Sequence, residues 1–183
     1  MATKIAVFAS GSGSNFQAIQ EAIERGDLQA SVELVVTDKP GAFVVTRANN
    51  SGVEVLELAP KTFESKAAYE EAIVAELRAK DVEWVVLAGY MRLVSDVLLN
   101  AYPNRIVNIH PSLLPSFPGK DAIGQAMEHG VKVTGVTVHY VDAGMDTGPI
   151  IAQAAVEVVD GDRAATEERI HKVEHELYTK TLN

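Results

Sequence analysis

The run Ile106–His110 reads IVNIH, and its Asn and His could do chemistry. Side chains alternate along an extended strand, so Asn108 and His110 share one face while Val107 and Ile109 take the other. Pro111 opens the exit loop, which places His110 at the carboxyl end of its strand, where open α/β sheets bind their ligands. Asn108 and His110 can therefore converge on one ligand. The segment Val141–Pro149, VDAGMDTGP, adds aspartates and glycines in a loop able to fold over a neighbouring site. A carboxylate beside an imidazole favours its charged form. Asn108, His110 and Asp146 would then supply an oxyanion donor, a proton carrier and a tuning charge. Turn formation alone accounts for Asp142 and Asp146 if no histidine lies near them.

A second candidate site is SGSGSNF, which runs from Ser10 to Phe16 between an apolar run and a helical pattern. Unpaired N–H groups and the helix dipole favour an anion at such a junction, and glycines let the main chain approach it. Gly11 and Gly13 match the start of a dinucleotide fingerprint, but Phe16 stands at the third glycine position. A monophosphate on Gly13, Ser14 and Asn15 fits better than a pyrophosphate. The plainer alternative is a turn in which Ser14 or Asn15 only caps the helix. With Asp38 ending the second strand, the loop also raises a nicotinamide-dependent dehydrogenase, which Phe16 opposes.

These residues need a scaffold, and the spacing of apolar residues describes one. Short apolar runs alternate with longer segments of helical period, the pattern of parallel βαβ units. KIAVFAS, VELVVTD, VEVLEL, WVVLAG and RIVNIH read as successive strands. Helices are expected after the glycine loop, over AFVVTRANN, after Ser65 as N-cap, around 97–102 and near 122–128. KVTGVTVHYV and IIAQAAVEVV read as two further strands, and 164–178 as a final charged helix. The expected fold is α/β, a Rossmann-like, mostly parallel twisted sheet of about seven strands with helices on both faces.

The chain has 183 residues, 47% of them hydrophobic, enough for one domain with a substantial core. No run approaches the roughly 18 apolar residues of a membrane helix, and the N-terminus enters a strand pattern without a signal-type block, so a cytoplasmic protein is expected. Cysteine is absent, which leaves any metal site to His and carboxylates. HKVEH at 171–175 lacks the Glu placement of a zinc-protease motif, so no metal is expected there. His129 reads as a helix-end residue, and His139 as a residue behind the Asn108–His110 face. A net charge of −9 with 16 basic residues argues against a nucleic-acid partner.

SGSGSN, LAGYMRLV, NIHPSLLPSFPG and HYVDAGMDTGPII, in this order, resemble the phosphoribosylglycinamide formyltransferases of purine biosynthesis along nearly the whole chain. Methionyl-tRNA formyltransferases differ at the first loop and carry a further C-terminal domain. Formyltetrahydrofolate hydrolases carry an N-terminal regulatory domain and typically a second His where Pro111 stands. The resemblance implies one formyltransferase domain over residues 1–183, with a phosphate-binding half over about 1–100 and a folate and catalytic half over about 85–183. It also implies transfer of a formyl group from the co-substrate 10-formyltetrahydrofolate to the amine of 5-phosphoribosylglycinamide, with no metal and no nucleic-acid or membrane partner. A homodimer is compatible with it.

By position, Gly13, Ser14 and Asn15 would hold the substrate phosphate, and Asn108, His110 and Asp146 would be catalytic. Met91, Arg92, Leu93 and Val94 would border the pterin, with Asn108, Asp142 and Asp146 beside it and Lys66 facing the glutamate tail. Without the resemblance, Arg92 and Lys66 read as solvated helix residues. His171 and Glu174 would lie near the ribonucleotide. The family usually has a proline where Thr179 stands, followed by more helix, so a loosened final helix is expected. Two other readings remain open, a non-catalytic nucleotide- or folate-binding protein on this fold and a formyltetrahydrofolate hydrolase-like enzyme.

Overall fold

The structure is a computed structural model that describes residues 1–183. A seven-stranded sheet runs in the order β3-β2-β1-β4-β5-β6-β7. Its strands are β1 (Thr3–Phe8), β2 (Ala30–Thr37), β3 (Val55–Glu57), β4 (Trp84–Leu87), β5 (Ile106–His110), β6 (Val133–Tyr140) and β7 (Ile150–Glu157). The first five strands are mutually parallel, and β6 and β7 are added antiparallel. From β1 the chain builds outward through β2 and β3, then returns with β4 on the other side. That reversal opens a crevice beyond the carboxyl ends of β1 and β4, the place where open α/β sheets bind ligands.

Both faces of the sheet are covered, and the alternation within β1 shows how. Ile5 and Val7 pack with Phe16 and Ile19 of α1 (Ser14–Arg25), Val44 of α2 (Phe43–Asn50), Ile123 of α5 (Ala122–His129) and Ile170 of α6 (Arg163–Leu182). Ala6 and Phe8 pack with Tyr69, Ile73 and Leu77 of α3 (Lys66–Ala79) and Leu98 of α4 (Asp96–Ala101). Strands sandwiched in this way need apolar residues on both sides, which is why WVVL reads as a continuous run. Ser65 caps α3 as expected, its side chain accepting from the Ala68 amide at 3.0 Å.

Two expectations change. Strand β3 keeps only Val55–Glu57, because it pairs with β2 alone at the sheet edge and its residues are at most half-buried. Helix α6 runs unbroken to Leu182 and is not loosened. Ile170 and Tyr178 on its inner face are fully buried, and the Tyr178 hydroxyl donates to the Leu87 carbonyl at 2.6 Å. That bond fixes the helix to the end of β4.

Candidate active site

The glycine loop leaves β1 and enters α1 with Gly13 as the N-cap residue at φ 75°, in the left-handed region. No side chain caps this helix, so neither Ser14 nor Asn15 plays the merely structural role open to it. The first-turn amides of α1 therefore have no partner within the helix. Helix α2 fixes the loop from behind. The Val44 amide donates to the Gly11 carbonyl at 3.0 Å, and Arg47 Nε donates to the Ser12 carbonyl at 2.7 Å. A Cβ on Gly13 would lie 2.5 Å from Cγ2 of Val44, so the loop can press this closely on α2 only with glycine there. Asn15 is buried, and its Oδ1 has no hydrogen-bond partner. Buried polar atoms are normally paired, so this side-chain amide has capacity left for a ligand.

The second wall follows β4. Tyr90 packs edge-on against Phe8, with ring centroids 5.3 Å apart, and its hydroxyl lies 3.1 Å from that of Tyr69. Burial pushes the Tyr90 phenol well above its ordinary range, so it stays a neutral hydrogen-bonding group. The Arg92 guanidinium lies 5.7 Å from the centre of the Tyr69 ring. Its Nε is buried without a partner, which replaces the solvated helix-start residue that Arg92 resembles in sequence. Helix α3 closes the segment through Glu70, a buried carboxylate that accepts from the Ser95 amide, the Ser95 hydroxyl and the Leu98 amide at 2.9, 2.6 and 3.0 Å. Glu70 thus caps α4 and pins the end of the Met91–Val94 segment.

Between these walls stands β5. His110 is 6% exposed, and its Nε2 lies 2.9 Å from the Phe117 carbonyl. A carbonyl only accepts, so Nε2 carries a proton and Nδ1 is left to face the site. Nδ1 is 3.5 Å from Oδ2 of Asp146, and the same carboxylate oxygen accepts from the Gly119 amide at 2.8 Å. Antiparallel pairing sets Asn108 opposite His139. His139 gives its Nδ1 proton to the Tyr140 carbonyl at 2.9 Å, so Nε2 can accept from Asn108 Nδ2 at 3.4 Å. Nε2 also lies 3.7 Å from Oδ1 of Asp146. One carboxylate therefore faces two imidazoles, and Asn108 is oriented by the second. The spacing of His139 relative to Thr137 and Val141 hinted at a place behind the pair; the contact with Asp146 depends on sheet register and was not visible.

His171 and Glu174 close the cavity from α6. His171 Nδ1 lies 2.6 Å from Oε1 of Glu174, and that bond holds the imidazole above its ordinary pKa. Asp142, by contrast, makes its own turn, accepting from the Gly144 amide at 3.0 Å and the Thr147 hydroxyl at 2.6 Å. The Thr147 bond holds its carboxyl below the usual range. His129 ends α5, as its position suggested, with its ring against Phe117.

One cavity of about 690 Å³ receives Gly13, Ser14, Asn15, Met91, Arg92, Leu93, Val94, Asn108, His110, Asp142, Asp146, His171 and Glu174. Lys66 is the exception. It is the exposed first residue of α3 and does not line the cavity. Lys39 and Lys120 line the cavity although the sequence did not single them out. Neither carries a motif; each is an ordinary loop lysine until the loops are folded together.

The formyl transferase family model matches residues 3–182, and the chain belongs to that family. Within it, the chain is 55% identical to the phosphoribosylglycinamide formyltransferase of Bacillus subtilis, over 98% of this chain and 92% of that protein. It is 38% identical to the Escherichia coli protein of the same name, over 98% of this chain and 85% of that one. A crystal structure of glycinamide ribonucleotide transformylase 1 from Geobacillus kaustophilus superposes with a TM-score of 0.97 at 59% identity, covering 100% of this chain and 97% of that one. No helix here is long and apolar enough to cross a membrane.

Proposed function

We propose that this chain transfers the formyl group of 10-formyltetrahydrofolate to the amine of 5-phosphoribosylglycinamide, as a cytoplasmic step of purine biosynthesis. The observation that carries the reading is the convergence of Asn108, His110 and Asp146 between the glycine loop and the Met91–Val94 segment in one cavity. The residues present suit both reactants. The uncapped start of α1 with Gly13, Ser14 and Asn15 takes the phosphate. Met91, Arg92, Leu93 and Val94 offer a main-chain edge and an apolar wall to the flat pterin, with Asp142 on the loop opposite. His171 and Glu174 sit beside the ribonucleotide, and Lys66, outside the cavity, faces the glutamate tail.

In the reaction the substrate amine attacks the formyl carbon, negative charge develops on the formyl oxygen, and the bond from that carbon to the folate nitrogen breaks. Asn108 Nδ2 and the Nδ1 edge of the His110 ring meet that oxygen. Loss of one such donor typically costs roughly 100- to 1,000-fold in rate. Asp146, 3.5 Å from that ring nitrogen, takes the amine proton, directly or through water, and passes it toward the leaving nitrogen. The test is an assay with both substrates that follows tetrahydrofolate release and formylated ribonucleotide together. Equal amounts of the two products are expected. Tetrahydrofolate released without formylated ribonucleotide would indicate hydrolysis, and binding of both ligands without turnover would indicate a binding protein.

A further inference from the structure

Asp38 is a buried carboxylate that the proposed chemistry does not use. It directly follows β2 at the carboxyl edge of the sheet and is 7% exposed. Its place after the second strand raised a dinucleotide reading, but its Oδ1 is occupied from within, accepting at 2.5 Å from the hydroxyl of Ser10. Ser10 is itself 3% exposed. A hydroxyl has one proton and two acceptor lone pairs. With that proton turned toward Asp38, the Ser10 oxygen accepts the Met91 amide at 2.9 Å. The Ser10 amide donates to the Gly89 carbonyl at 3.0 Å. Ser10 thus grips the segment after β4 at two points, and it is also the first residue of the SGSGSNF segment.

We propose that Ser10 and Asp38 are positioning residues for folate. Ser10 sets the Met91–Val94 main chain against the ribonucleotide loop, and Asp38 serves as the oxygen that orients the Ser10 hydroxyl. The inference rests on the proposed function, which assigns Met91–Val94 to the pterin. Side-chain packing cannot do this at Met91, which is 68% exposed, so the position of its amide depends on the bond to Ser10. Only an acceptor oxygen is needed at position 38, and a carboxamide oxygen supplies one as well as a carboxylate does.

The experiment compares wild type with Ser10→Ala, Asp38→Leu and Asp38→Asn. Calorimetry gives Kd for tetrahydrofolate and for 5-phosphoribosylglycinamide, steady-state assays give KM and kcat, and thermal melts report folding. Ser10→Ala and Asp38→Leu are expected to raise folate Kd and KM about tenfold, the scale of one lost hydrogen bond to a buried group, while ribonucleotide Kd and saturated kcat stay within about twofold. Asp38→Asn is expected to bind folate within about threefold of wild type, because it keeps the acceptor. Ser10→Ala binding tetrahydrofolate as wild type does would overturn the proposal. So would Asp38→Asn as weak as Asp38→Leu, or equal weakening of both ligands, which marks general damage. If Asp38→Leu does not fold, the comparison of Ser10→Ala with Asp38→Asn decides alone. A wild-type chain that fails to bind tetrahydrofolate removes the proposed function and this inference together, whereas unshifted variants of an active wild type remove only the inference.

Discussion

Nδ1 of His110 faces Oδ2 of Asp146 across 3.5 Å, with both side chains mostly withdrawn from water. Because Nε2 is committed to the Phe117 carbonyl, this is the edge of the ring that can act on a substrate. Asp146→Asn separates the charge from the fold. Asp146 stands at φ 56°, a conformation Asn tolerates, and a carboxamide oxygen can still accept from Gly119. The variant is expected to keep its Tm and its ribonucleotide Kd while kcat falls by roughly 100-fold or more. Steady-state kinetics beside calorimetry check it. A kcat within a few-fold of wild type would remove the carboxylate from the mechanism.

The close approach of the glycine loop to α2 gives a second expectation. Gly13→Ala must place a Cβ against Val44 from a left-handed backbone, costs of about 1–3 kcal/mol for the overlap and about 1–2 kcal/mol for the conformation. The loop has to move, and the phosphate site moves with it. Ribonucleotide KM is expected to rise about 10- to 100-fold, with folate KM changed by less than about threefold. Gly11→Ala is the stability control, since nothing lies within 4 Å of the added carbon, and it should melt with wild type. Equal ribonucleotide KM for Gly13→Ala and wild type would mean that the loop does not depend on α2.

What the sequence made legible was what local pattern controls. Alternation in IVNIH turned Asn108 and His110 to one side, apolar continuity marked the sandwiched strands, and Ser65 marked the start of α3. What stayed hidden depended on register and on pairs distant in the chain. Glu70 caps α4 across 25 positions, Ser10 meets Asp38 across 28, and Asn108 meets His139 across 31. No local period encodes those contacts. Lys66 shows the reverse case, a residue assigned to the glutamate tail by resemblance alone, with no local pattern behind it, and it stands outside the cavity.

Tyr178 ties the last helix to the heart of the sheet. Its hydroxyl donates to the Leu87 carbonyl at 2.6 Å and lies 3.3 Å from the Val107 carbonyl, so one atom touches the strands that lead to the Met91–Val94 segment and to Asn108. Tyr178→Phe keeps the ring and removes the bond. The expected cost is about 1–2 kcal/mol, or roughly 2–8 °C in Tm for a chain of this size. Thermal and urea unfolding measure it, and an unchanged midpoint in both would show that the bond contributes nothing net.

The last expectation concerns pH and α6. The bond from Glu174 holds His171 above its ordinary value of 6.5 in the folded state. A raised histidine contributes stability that is complete below the unfolded value and is lost as pH rises through the folded one. Compared with His171→Gln, wild type should therefore have the higher Tm at about pH 5.5, and the two should converge by about pH 9. His175, one turn along the helix, has the opposite sign, because burial lowers it and its contribution is lost as pH falls below 6.5. That slope is present in both proteins and largely cancels in the difference. The cancellation is incomplete, since the charge on His171 itself pushes His175 further down. Removing His171 therefore relieves His175 slightly at acid pH and narrows the gap without reversing it. Melting curves taken across this range decide the matter, and a Tm difference that grew toward alkaline pH would show that the His171–Glu174 bond does not stabilise α6.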